Sequence, residues 1–130
     1  MTQTNDKFQE TVDSMLIQHQ SILDILSKCQ ETSARTNRAV VKAVTNCGCL
    51  SINAHKQVIP EDATLTNLKD ILDSHLTGTL CESCREVIET ELGKQLFYLA
   101  ALSNTLGLSL NDIINKENGK LNTLTVYNLR

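Results

Sequence analysis

Apolar residues recur at three- and four-residue steps along most of the chain, a spacing that stacks them on one face of an α-helix. Between residues 7 and 44 the series is Phe8, Val12, Met15, Leu16, Ile22, Leu23, Leu26, Cys29, Val40 and Val44. It predicts one long amphipathic helix or two in succession. Residues 31–37 are polar and rich in Ser and Thr, which compete for backbone hydrogen bonds, so a kink or short break is expected there. Gly48 follows the series and suits the positive φ that ends many helices.

Residues 50–62 hold the single proline, Pro60, among residues of mixed polarity; they read as loop, with room for a short strand or a turn of helix. From residue 64 to 76, Leu65, Leu68, Ile71, Leu72 and Leu76 resume the helical pattern, which Gly78 is expected to close. Ser83 and Glu86 have the spacing of a capping box, and Val87, Ile88, Leu92, Leu96, Leu99, Leu102 and Leu106 follow, up to Gly107. This segment is expected to be the core helix. Ser109 is placed to cap a short last helix carrying Leu110, Ile113 and Ile114, which Asn118 and Gly119 should break, leaving residues 122–130 extended along the surface. The pattern predicts an all-α fold with no internal repeat and no sustained heptad.

With 130 residues and 41% hydrophobic content, the chain suits a single helical domain over residues 1–130. Its 12 Lys and Arg against 15 Asp and Glu give a net charge of -3, which lacks the basic excess that sequence-independent nucleic-acid binding relies on. Arg35, Arg38 and Lys42 fit an ordinary solvated helix face better than a nucleic-acid stripe. No apolar run approaches the roughly 20 residues that cross a bilayer, and the polar start carries no export pattern. The expectation is no membrane association and a cytoplasmic, reducing location.

In a reducing compartment, five cysteines argue for metal or thiol chemistry rather than a disulfide framework. Four of them form two close pairs, Cys47 with Cys49 and Cys81 with Cys84, separated by residues 50–80. Two such pairs supply the four sulfur ligands of a closed structural zinc site. The first pair has one intervening residue, fewer than the commoner two to four, and that residue is Gly48, which permits a tight reversal. The second pair spans the start of the expected core helix, where free N–H groups and the helix dipole favour thiolate. Zinc would then staple a helix C-terminus to a helix N-terminus and form part of the folding energy. The competing readings are a redox pair at Cys81 and Cys84, an iron–sulfur cluster, and unliganded thiols. Cys29 lies on the apolar stripe and reads as core packing. His19, His55 and His75 lack the HExxH spacing or an adjacent nucleophile; His55 and His75 flank the cysteine pairs and stand as substitute ligands should a cysteine not coordinate.

Within residues 89–110, Glu91, Leu92, Gly93, Leu96, Phe97, Tyr98, Leu99, Leu102, Gly107 and Leu110 resemble the third-helix signature of the MazG-type all-α nucleotide pyrophosphohydrolases. The resemblance covers about a quarter of the chain. It implies a small antiparallel bundle of four to five helices, often dimeric in that family, here stapled by the four-cysteine metal site. It also implies a magnesium cluster, of which Glu91 would be a vestigial position. Lys94 stands where the family has its metal-binding Asp, and a cation there repels magnesium. The earlier helix offers no Glu-x-x-Glu pair to complete the cluster. The function expected is therefore that of a non-catalytic zinc-binding helical module of MazG-like fold acting through protein–protein association, as a homodimer or with another protein. Two alternatives stand beside it: a nucleotide pyrophosphohydrolase or nucleotide binder using Glu86, Glu89 and Glu91, and a thiol or zinc redox sensor.

Overall fold

The long apolar series breaks at residues 16–21, where polar Gln18, His19 and Gln20 lead into Ser21, whose hydroxyl accepts the Leu23 N–H at 3.3 Å and caps a new helix. The computed structural model describes residues 2–64 and 66–123. In chain order it has α1 (Thr2–Met15), α2 (Ile22–Lys42) running on into a π-helical turn (Ala43–Cys47), β1 (Leu50–Ile52), α3 (Leu68–Ile71), β2 (Leu76–Gly78), α4 (Glu82–Thr105) and α5 (Leu110–Thr123). The protein is mostly helical, with five α-helices and one small antiparallel ribbon, β1 against β2, among the described residues.

The expected break within residues 31–37 is not there, and α2 passes through them without interruption. Glu31 pairs with both Lys28 and Arg35 at 3.1 Å, the i,i+3 and i,i+4 spacings that steady a helix face. The hydroxyls of Thr32 and Thr36 donate to carbonyls one turn back, so they are satisfied without disturbing the helical ladder.

Two helices, α1 and α2, lie in succession along α4. Cys29 reaches the Tyr98 carbonyl, Thr36 bonds Gln95 and Cys47 meets Cys81, so α2 runs antiparallel to α4. Near the other end of α4, the Gln9 amide donates to Asn104 Oδ1 at 2.8 Å and to the Leu108 carbonyl at 2.7 Å, and accepts the Leu110 N–H at 2.8 Å. Gln9 thus ties α1 to α4 and closes the start of α5. One core cluster, Val12, Ile25, Ala100 and Ala101, sits where α1, α2 and α4 meet; the other, Ala43, Leu50 and Ile88, lies beneath the cysteines. Small Ala100 and Ala101 let the helices approach closely.

Three further expectations are corrected. The helix expected over residues 64–76 shrinks to Leu68–Ile71, because Asp73 and Ser74 side chains accept the backbone N–H groups of His75 and Leu76 and divert the chain into β2. Leu65 lies outside the described residues. The cap of α4 is Cys81, not Ser83 with Glu86, since Cys81 Sγ accepts the Cys84 N–H and starts the helix at Glu82. Finally, α5 continues through Asn118 and Gly119 to Thr123, which nothing in the structure explains beyond the Thr123 hydroxyl bonding the Gly119 carbonyl; the extended tail expected beyond it falls, from residue 124, outside the described residues. No helix among the described residues is long and apolar enough to cross a membrane.

Candidate metal centre

The last turn of the α2 arm is wide: Ala43 O accepts the N–H of Gly48, five residues on, at 2.9 Å. Gly48 then adopts φ 81°, the left-handed conformation that ends the helix and reverses the chain between Cys47 and Cys49. After the reversal, β1 pairs with β2 in the register Leu50↔Gly78 and Ile52↔Leu76. Gly78 has φ 88°, and a β-carbon there would run into the carbonyl of Cys49. Only glycine lets β2 lie so close to the first cysteine pair while leading the chain into Leu80 and Cys81.

Cys47, Cys49, Cys81 and Cys84 come together in consequence, with all four Sγ atoms within 4.8 Å of one another. Cys47 Sγ lies 3.7 Å from Cys81 Sγ, far beyond the roughly 2.05 Å of a disulfide bond. A tetrahedron built on metal–sulfur bonds of about 2.3 Å has sulfur–sulfur edges of about 3.8 Å. The Cys47–Cys81 pair is already at that edge, and no pair needs to close by more than about an ångström. Cys47 is exposed, while Cys49, Cys81 and Cys84 are half-buried. These four side chains form a site that can hold a metal ion.

The electrostatics favour deprotonation at one member first. The Cys84 backbone N–H at the start of α4, helped by the Cys84 and Cys47 thiols, draws the Cys81 thiol down to about 7. Cys84, donating to Cys81 and partly desolvated, is pushed up to about 12. The α4 N-terminus therefore supplies the first thiolate that an incoming cation meets.

Cys29 stays apart from this group, packed against the first core cluster with its thiol on the Tyr98 carbonyl at 3.7 Å; burial pushes its pKa up. His19 sits 3.6 Å from Asp24 at the start of α2. Neither His55 nor His75 joins the cysteines; they cluster with Asp73 instead. That grouping was open to sequence reading only as two histidines 20 positions apart, because the turn that joins them is held by side-chain bonds without periodicity.

Glu91 lies on the α2-facing side of α4 beside Arg35, Arg38 and Lys42. Its side chain is 14% exposed, and Oε1 stands 3.7 Å from Lys94 Nζ. Its Oε2 is buried and has no hydrogen-bond partner among the described residues. Glu86 and Glu89, the other candidate magnesium ligands, are exposed. No family model, no curated protein and no solved structure matches the chain.

Proposed function

We propose that this protein is a non-catalytic helical module, stapled by structural zinc at Cys47, Cys49, Cys81 and Cys84, that works by associating with a second copy of itself. Zinc is the ion favoured by four thiolates that converge within 4.8 Å of one another. Five thiols, all free, suit a reducing compartment such as the cytoplasm.

The observation that carries the association is the outer face of α4. Leu92, Leu96, Leu99 and Leu106 fall on one stripe and are each about half exposed. Leu99 and Leu106 also line an apolar groove with Leu102, Leu108, Leu110 and Ile113. A helix apolar on opposite faces is ordinarily buried on both. A stable twofold dimer built on this stripe would hide about 800 Å² per partner. An antiparallel helical fold and a dimer are also what the MazG resemblance implies.

Sedimentation equilibrium at micromolar concentration tests this reading. The native chain is expected to be a dimer, and a Leu96→Glu, Leu99→Glu variant a folded monomer that keeps its metal. A native chain that stays monomeric throughout would overturn the association.

A second reading, nucleotide binding, draws support from the groove in which Arg35, Arg38 and Lys42 surround Glu91, since three cations suit phosphate. A thermal-shift screen with nucleoside triphosphates and magnesium decides it: stabilisation that Arg35→Ala abolishes favours the nucleotide, and no shift with any of them retires it.

A further inference from the structure

The ribbon that lays Gly78 against the cysteines carries a second group of ligand-type side chains at its other end. Beyond the Ile52↔Leu76 pair, the Asn53 N–H bonds the His75 carbonyl at 2.9 Å. His75 is held there at φ 64°, the only non-glycine residue in the left-handed region among those described. Its N–H donates to Asp73 Oδ1 at 3.0 Å, which leaves Oδ2 to face His55 Nε2 at 3.1 Å. One ring nitrogen from each histidine and an Asp73 oxygen lie within 4.8 Å of one another.

The hydrogen bonds behind these atoms fix which of them hold lone pairs. His55 Nδ1 is 3.2 Å from the Lys56 carbonyl, which can only accept, so the proton of the neutral ring sits on Nδ1. The Nε2 lone pair then points at a carboxylate oxygen. That arrangement is repulsive unless a positive charge, a second ring proton or a metal cation, lies there. At His75, the Gln57 amide is oriented by Oε1 accepting the Asp73 N–H at 3.1 Å and Nε2 donating to the Asp73 carbonyl at 2.8 Å. Its NH₂ group also donates to His75 Nε2 at 3.1 Å, so that nitrogen too presents a lone pair. His55 is thus steered from behind by the Lys56 carbonyl and Asp73 by the His75 N–H, as metal ligands commonly are, while at His75 the Gln57 N–H occupies the lone pair itself. Burial does not assemble the group: the His55 and Asp73 side chains are 54% and 52% exposed, and neighbouring Val58 and Ile59 lie open.

We propose that His55, Asp73 and His75 form a second, separate site for a borderline divalent transition-metal ion such as zinc, with two imidazoles and one carboxylate as protein ligands. Two nitrogens exclude it as a calcium or magnesium site, and the absence of sulfur from the set separates it from the thiophilic cysteine cluster. Three protein ligands leave a coordination position for water or a small anion. The incoming cation displaces the Gln57 hydrogen bond from His75 Nε2, and that N–H turns to solvent while the other Gln57 N–H stays on the Asp73 carbonyl. The ion pins the segment between the strands, where α3 is the only helix among the described residues.

Cobalt(II) titration of the reduced, metal-stripped full chain, followed by absorption and equilibrium dialysis, tests this proposal. Two equivalents are expected, one with intense sulfur-to-cobalt charge-transfer absorption and one without. A His55→Ala, His75→Ala variant should lose the second and keep the charge-transfer band, which reports an intact cysteine cluster. Asp73→Asn, which preserves an acceptor for the His75 N–H, should weaken the second equivalent about tenfold or more. A histidine-dependent equivalent without any charge-transfer band would support this site and remove the cysteine one. If the native chain binds no histidine-dependent equivalent, or the equivalent survives in the double variant, the proposal is overturned and the His55–Asp73 contact is a proton-bridged ion pair.

Discussion

Cys47 Sγ and Cys81 Sγ lie 3.7 Å apart although 34 positions separate them in sequence, which joins the C-terminal end of the α2 arm to the first residue of the α4 cap. Removing a metal held there should loosen both ends at once. A strong chelator, or Cys81→Ser with Cys84→Ser, is expected to cost about 3 kcal/mol or more, which lowers the melting temperature by roughly 10 °C. Calorimetry with and without the chelator checks this, and an unchanged melting curve on verified metal-free protein would remove the staple.

Gly78 and Gly48 both have positive φ but differ in what surrounds them. At Gly48 an added β-carbon meets nothing, so Gly48→Ala carries only the left-handed backbone cost of about 1–2 kcal/mol. Gly78→Ala adds a clash with the Cys49 carbonyl and is expected to cost at least about 1 kcal/mol more than Gly48→Ala. It should also weaken metal binding, because relief of the clash moves the first cysteine pair. Urea unfolding of both variants, together with a metal titration, measures the difference; equal costs would show that the ribbon yields freely.

Cys81 and Cys84 should part company in the metal-free protein. With its pKa drawn from 9.0 to about 7, Cys81 is a thiolate above neutrality and regains its proton as pH falls below it, whereas Cys84 stays a thiol across that range. Iodoacetamide should modify Cys81 several-fold faster than Cys84 at pH 7.5, with a rate midpoint near 7. The same protonation competes with metal, so affinity should fall as pH drops. Peptide mapping after timed quenching gives the order, and equal rates at the two cysteines would contradict it.

Gln9 makes three side-chain hydrogen bonds across the α1, α4 and α5 junction, and its backbone carbonyl accepts a fourth bond from Asn104 at 3.0 Å. Gln9→Ala removes the first three and is expected to destabilise by about 2 kcal/mol, with α1 exchanging its amide hydrogens faster than α4. Uniform exchange rates would mean that the apolar packing of Phe8, Val12 and Leu16, with the Asn104 and Asn5 bonds that remain, suffices to hold α1.

The helices and the cysteine pairs were legible because each rests on a regular signal: apolar steps of three and four, and ligand spacing of one and two residues. The position of the α1–α2 break was not, because it depends on Ser21 capping a helix while the Thr- and Ser-rich residues 31–37 satisfy their hydroxyls inside one. Leucine periodicity marked α4 correctly as helix but could not tell which face is covered; Ile88, Ala100 and Ala101 are buried while Leu92, Leu96, Leu99 and Leu106 remain half exposed. The β2 strand and the His55, Asp73 and His75 group escaped notice because both arise from side-chain bonds to the backbone at residues 73–76, which carry no periodic trace.

The π-helical turn at Ala43–Cys47 has a further consequence for how the chain tolerates insertions and deletions. One residue fewer between Val44 and Asn46 would let an ordinary α-helical turn form there, and each residue of an α-helix turns the next by about 100°. The i→i+5 bond from Gly48 to Ala43 and the i→i+4 bond that would replace it each close about one turn, so Cys47 would still come round toward Cys81. Residues 53–57 have less freedom of length, because Asn53, His55 and Gln57 bond to residues 73–75 and continue the ribbon beyond Ile52 and Leu76. The end of the α2 arm can therefore shed the extra residue of its wide turn, whereas the bonds of His55 and Gln57 to Asp73 hold the length of the segment between the strands.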